Sequence, residues 1–142
     1  MKYDFRHVIA IATAAVSLAA GAQSAKPVEC PTMEFVGLKN GEGRLLVAAY
    51  NSAESFLKAP VWSLMVKVEG DAMRIPLCNV NAAEVAVTAF QDLNGNNKMD
   101  ANPMGIPTEP YGASGKPAMF GPPTWSDTKV VLTTASPILI KF

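Results

Sequence analysis

The chain has 142 residues, 49% hydrophobic and only 17% charged, and its twelve basic and twelve acidic side chains cancel. That is one domain's length, too apolar and too weakly charged for a disordered chain. It lacks the basic excess that binding a phosphate backbone requires, so nucleic acid is excluded as an expected partner.

Lys2 and Arg6 precede an apolar run from Val8 to Ala20 that ends in Ala20-Gly21-Ala22. A charged start, an apolar middle and a small-x-small site describe a secretion signal, with cleavage expected after Ala22. The run falls short of the about 20 apolar residues that span a bilayer, and no later stretch reaches that length. Residues 1–22 are therefore expected to be a signal peptide, and 23–142 a single domain in the periplasm or outside the cell. Removal of Lys2, Arg6 and Asp4 leaves ten basic and eleven acidic residues, a net charge of −1 over 120 residues. It also removes His7, the only histidine. Without histidine there is no Ser-His-Asp or Cys-His nucleophile activation and no catalytic zinc on His ligands. Cys30 and Cys78 are the only cysteines, and in an oxidising compartment an even count predicts one disulfide between them.

Short apolar runs broken by turn formers follow. Met33–Leu38 is the first, and Lys39-Asn40-Gly41-Glu42-Gly43 reads as a turn. Arg44–Tyr50 is apolar on both faces, as in a central strand. Ser52–Lys58 suits one helical turn. Ser63–Glu69 alternates, with Leu64, Val66 and Val68 on one side. In Met73–Cys78, Ile75 and Leu77 share a face and Pro76 marks an edge strand. Glu84–Phe90 is another strand, and Thr128–Thr134 with Ile138–Phe142 read as a closing hairpin around Ala135-Ser136. About seven short strands predict an all-β antiparallel sandwich, immunoglobulin-like or transthyretin-like. Between Phe90 and Thr128 no strand is expected, only a long loop with six prolines; such loops are usually functional.

That loop begins Asp92-Leu93-Asn94-Gly95-Asn96-Asn97-Lys98-Met99-Asp100. Oxygen side chains fall at positions 1, 3, 5 and 9, the spacing of an EF-hand-like calcium loop. Calcium takes six to eight hard oxygens, and a tightly curled backbone aims alternate side chains inward to supply them. The expected ligands are Asp92, Asn94, Asn96, the Lys98 carbonyl and Asp100. Asn97 stands at the bend where Gly is usual, and Asn is the next best residue for a left-handed conformation. Pro103 occupies the place of the terminal Glu, so Glu109 is expected to swing back as a substitute. A site so modestly charged predicts weak affinity, on the order of 10⁻⁴–10⁻³ M. The competing reading is a plain turn, since Asn-Gly is also a strong hairpin signal. Further along, Tyr111, Phe120 and Trp125 form either the loop's own small core or an exposed aromatic row.

These residues resemble a family of exported bacterial proteins catalogued as domain of unknown function 2141. Its D-x-N-x-N-G-x-x-D run corresponds to Asp92–Asp100. Its G-x-P-x-E-x-Y-G-x-S segment corresponds to Gly105–Ser114, and its G-P-P to Gly121-Pro122-Pro123. Leu46–Phe56 looks like the family's second strand and its continuation. Gln91 stands where members often have His, and Asn97 where they have Gly. The resemblance implies a β-sandwich and an envelope or secreted location, and brings no activity with it.

Ser55-Phe56-Leu57-Lys58 matches S-x-x-K, but its partner motifs are missing, so it carries no enzyme assignment. The expectation is a non-catalytic exported domain with a structural or binding role at the cell envelope. The alternative is a carbohydrate-binding module or small enzyme that uses the 101–127 loop as its active surface.

Overall fold

The computed structural model describes residues 29–118 and 121–142. The expected secretion signal and Phe120 lie outside the described residues. Eight strands and one short helix follow in order: β1 (Thr32–Val36), β2 (Arg44–Tyr50), β3 (Trp62–Lys67), β4 (Ala72–Pro76), β5 (Glu84–Asp92), β6 (Tyr111–Ala113), α1 (Trp125–Thr128), β7 (Val130–Val131) and β8 (Ile138–Lys141). One sheet runs β4-β1-β8; the other runs β3-β2-β5-β6, with β7 also paired to β5. All pairings are antiparallel except β1 with β8.

A period of two builds the core. Met33 and Phe35 of β1, Ile75 of β4 and Ile138 and Ile140 of β8 point inward from the small sheet. Leu45, Val47 and Ala49 of β2 and Val85, Val87 and Ala89 of β5 meet them from the large one. All these residues form one buried cluster, which makes the molecule an all-β sandwich. Pro76 ends β4 at the sheet edge, where a missing N–H costs no ladder bond.

Cys30 and Cys78 are bridged, with Cα atoms 5.0 Å apart. The bond sits just outside the Thr32–Pro76 pair and the Leu77 N–H···O=C Pro31 bond of 2.7 Å. It clamps the entry to β1 onto the exit from β4.

The structure corrects the expected topology in two places. The C-terminal segments do not form a hairpin: β7 pairs with β5 and β8 pairs in parallel with β1. Ile138 and Ile140 bury fully apolar side chains, and that burial outweighs the local turn signal at Ala135-Ser136. The loop between Phe90 and Thr128 is also not without regular structure. Tyr111–Ala113 adds a strand to β5, and Trp125–Thr128 forms a helical turn capped by Thr124. The central residue of β6 is Gly112, where a Cβ would lie 2.5 Å from the Lys141 carbonyl oxygen. The sheet contact there demands glycine, and glycine erases the usual strand signature.

Ser52–Lys58 does turn helically, with the Phe56 N–H on the Ser52 carbonyl and the Ala59 N–H on the Ser55 carbonyl. It lays Phe56 onto Tyr50, ring centroids 5.3 Å apart, and Trp125 lies 6.1 Å from Phe56. This satellite cluster covers one end of the large sheet's outer face.

Candidate functional site

β5 carries the chain straight into the polar loop. Asp92, its last residue, lies opposite Arg44, the first residue of β2. Neighbouring Gly43 is the precondition for this corner: its φ is +59°, and a Cβ there would lie 2.1 Å from the Asp92 carbonyl oxygen. Gln91, fully buried, fastens the same corner to the 39–43 turn. Its Oε1 accepts from the Lys39 N–H at 2.9 Å, and its Nε2 donates to the Lys39 and Glu42 carbonyls at 2.7 Å each.

The Asp92 carboxylate organises the loop. Oδ1 accepts the Gly95 N–H at 2.7 Å and Oδ2 the Asn97 N–H at 2.9 Å. The Arg44 guanidinium lies 3.5 Å from Oδ2 and donates to the Gly95 carbonyl at 3.0 Å. Burial is the largest single influence on this carboxyl, and it opposes ionisation. The Asn97 and Gly95 amides, the Arg44 charge and the Asn96 amide together outweigh it, so the group titrates below its ordinary value of 3.8. Asn97 takes a left-handed φ of +62°, as the bend requires.

Asp100 closes the far side. Its Oδ2 accepts from the Asn94 amide at 2.5 Å, and the Asn96 amide reaches both oxygens at 3.0 and 2.9 Å. The Asn94 and Asn96 side-chain oxygens face inward to the loop backbone, accepting the Asn96 N–H at 3.1 Å and the Lys98 N–H at 2.8 Å. Glu109 swings back as expected. Its carboxylate is buried beneath the loop and spans it, accepting the Leu93 N–H at 2.9 Å and the Asp100 N–H at 3.2 Å. The Thr108 N–H on the Asp100 carbonyl and the bridge between Ala101 and Pro107 fold the intervening chain into a tight return.

Asp92, Asn94, Asn96, Asp100 and Glu109 are thus brought into one hydrogen-bonded unit, with exposed Lys98 on its rim. Among the described residues, no three Asp, Glu, Cys or His side chains stand close enough to form a ready-made metal centre. Asp92, Asp100 and Glu109 instead each accept N–H donors of the loop. Sequence reasoning missed Arg44 and Gln91. Arg44 was hidden because its role depends on strand register. Gln91 was noted only as a departure from a family pattern.

The downstream motif has a structural task. Ser114, fully buried, donates to the Thr128 carbonyl at 2.7 Å and accepts the Val87 N–H at 2.8 Å. This ties the end of β6 between β5 and α1. Tyr111 is exposed, whereas Trp125 is partly buried against Phe56. In the S-x-x-K segment, the Ser55 hydroxyl donates to the Ser52 carbonyl at 3.1 Å.

The profile of the family described as "Uncharacterized protein conserved in bacteria (DUF2141)" aligns with residues 33–138. The chain belongs to this family. The matched region runs from β1 to the start of β8, so it takes in both sheets and the whole polar loop. No curated protein and no solved structure matches the chain.

Proposed function

We propose that this DUF2141 domain is an exported, non-catalytic β-sandwich whose 92–109 loop takes up calcium, with a structural or binding role at the cell envelope. The observation that carries the reading is the return of Glu109. A residue far along the chain places its carboxylate against both ends of the Asp92–Asp100 run. A surface turn needs no such third carboxylate. Each carboxylate oxygen has about two acceptor sites, and Asp92 Oδ1 accepts the Gly95 N–H while Oδ2 accepts the Asn97 N–H and faces Arg44 at 3.5 Å. On this reading calcium takes the place of the Asn94 and Asn96 amide protons at Asp100. The two amides turn to present oxygen, and the Lys98 carbonyl joins the set. Breaking those hydrogen bonds opposes binding, as does the Arg44 charge beside Asp92. Both keep the affinity weak.

Export is supported by the residue pattern of 1–22 and by the Cys30–Cys78 bond, since disulfides persist in oxidising compartments. A non-catalytic role is supported by the lack of any histidine after His7.

A second reading has its own observation. The amides already neutralise Asp100 at 2.5–3.0 Å, so the loop can close on itself without an ion. Isothermal titration of calcium into the chelator-treated protein separates the two. Saturable heat in the millimolar range that disappears in Glu109→Gln supports the cation loop; no saturable heat leaves a self-closed turn. The alternative of a carbohydrate-binding or catalytic surface on 101–127 would use Tyr111, because Trp125 is engaged with Phe56.

A further inference from the structure

The outward face of an antiparallel sheet is ordinarily polar. Here β2 turns Leu46, Ala48 and Tyr50 outward, and β5 turns out Ala86, Thr88 and Phe90, opposite them in register. Two cavities lie on this face, of about 420 and about 850 Å³. They share Leu57, Thr88, Phe90 and Met99, so they adjoin along one trough.

Strand register explains its shape. Met65, Leu46, Phe90 and Tyr111 stand side by side across β3, β2, β5 and β6 and form a tall wall. The next row, Ser63, Ala48, Thr88 and Ala113, is small and forms the floor. The opposite wall is Tyr50, held by the Phe56–Trp125 cluster, with exposed Leu57 beside it. Met99, Met104 and Ile106 of the polar loop overhang the first wall's end, all exposed. Leu46 and Tyr50 are four residues apart, about 13 Å at strand rise. Once side-chain thickness is subtracted, the slot is too narrow for a helix about 10 Å across. Its length over four strands is about 14 Å. No Lys, Arg, Asp or Glu lines either cavity. The polar groups that line it are the hydroxyls of Ser63, Thr88, Tyr50 and Tyr111 and the backbone.

We propose that this trough binds a single long alkyl chain, as carried by a fatty acid or another lipid. Each of the two cavities lies in the range of small-molecule sites, about 300–1,000 Å³. The narrow, elongated, uncharged slot fits a hydrocarbon chain rather than a compact ring or a peptide. Flexible methionines along the rim adapt to such a chain. The floor belongs to the sheet, whereas Met99, Met104 and Ile106 of the 92–109 loop line the second cavity, so binding is measured both without and with calcium.

The test uses the chain expressed from residue 1, titrated with fluorescent parinaric acid in EDTA and again in calcium. Saturable binding is expected in both. Hexadecanoic acid and hexadecanol should displace the probe equally, and naphthalene should not. Ala48→Phe and Ser63→Phe fill the floor and should weaken binding about tenfold or more while the melting temperature is retained. Should Ala48→Phe fail to fold, Ser63→Phe, on the exposed end, carries the test alone. Absence of saturable binding overturns the proposal. So does displacement by the acid but not the alcohol, or parental affinity in a folded Ser63→Phe. A dimer in sedimentation that Ser63→Phe dissociates would assign the face to a second copy instead.

Discussion

Asp92 does three things with one carboxylate: it caps the Gly95 and Asn97 amides, faces Arg44, and sets the start of the loop. Its titration below 3.8 in the folded state has a definite consequence. A group with a depressed folded pKa stabilises the protein above its unfolded pKa, and that stability is lost as pH falls through the folded value. The melting temperature should therefore drop as pH falls below about 3.8. Asp92→Asn should start lower at neutral pH and show a shallower decline below that point; identical slopes in melting curves between pH 2 and 5 would contradict this role. Glu109→Gln leaves one of the Leu93 and Asp100 N–H groups without an acceptor and gives the other only a neutral one. It should cost about 1–3 kcal/mol in urea unfolding. Asp92, Asn94, Asn96, Asp100 and Asn97 were legible from spacing alone, because alternate oxygens on a curled backbone leave a periodic trace. Glu109 was singled out as a residue that swings back to the loop, where it accepts the Leu93 and Asp100 N–H groups. Arg44 was not, because nothing in its neighbours says that β2 begins opposite the end of β5.

The loop is only as well placed as the strands that end at it. Gly43 lets β2 start against the Asp92 backbone, and Gln91 locks the preceding turn to β5. Gly43→Ala combines a clash with a left-handed φ, and should destabilise by about 2 kcal/mol or more in urea unfolding. A neutral effect would mean that the corner can open without cost. Strands β2 and β5 were readable as apolar runs bounded by turn formers, and β3 and β4 because apolar residues recur at a two-residue period. β6 was not, because three residues centred on Gly112 carry no such period. The supposed C-terminal hairpin misled because a local turn signal says nothing about which distant strand offers the larger apolar surface. β8 finds that surface on β1, and β7 finds its partner in β5.

Taken whole, the molecule is a sandwich with one fastened end and one polar end. Pairing of β1 with β4 and the Cys30–Cys78 bond, 48 residues apart in sequence, hold the entry to β1 against the exit from β4. Replacing both cysteines by Ser should cost about 2–5 kcal/mol, measured by urea unfolding under non-reducing conditions. An unchanged midpoint would show that strand pairing alone suffices. The fold class followed from composition and strand spacing, whereas the parallel β1–β8 pairing, joining distant segments, left no sequence trace. The outward apolar row across four strands was visible only as a β2 segment apolar on both faces; its register, and so the trough, required the pairing itself. The melting temperature of the protein in EDTA and then in millimolar calcium tests the cation loop most directly. At about 1 mM calcium and a Kd on the order of 10⁻⁴–10⁻³ M, binding to the native state adds about 0.4–1.4 kcal/mol, about one to several degrees for a domain of this size. A calcium-specific rise that vanishes in Asp92→Asn is the predicted result. Superimposable melting curves in EDTA and calcium would contradict it and leave a loop held by its own hydrogen bonds.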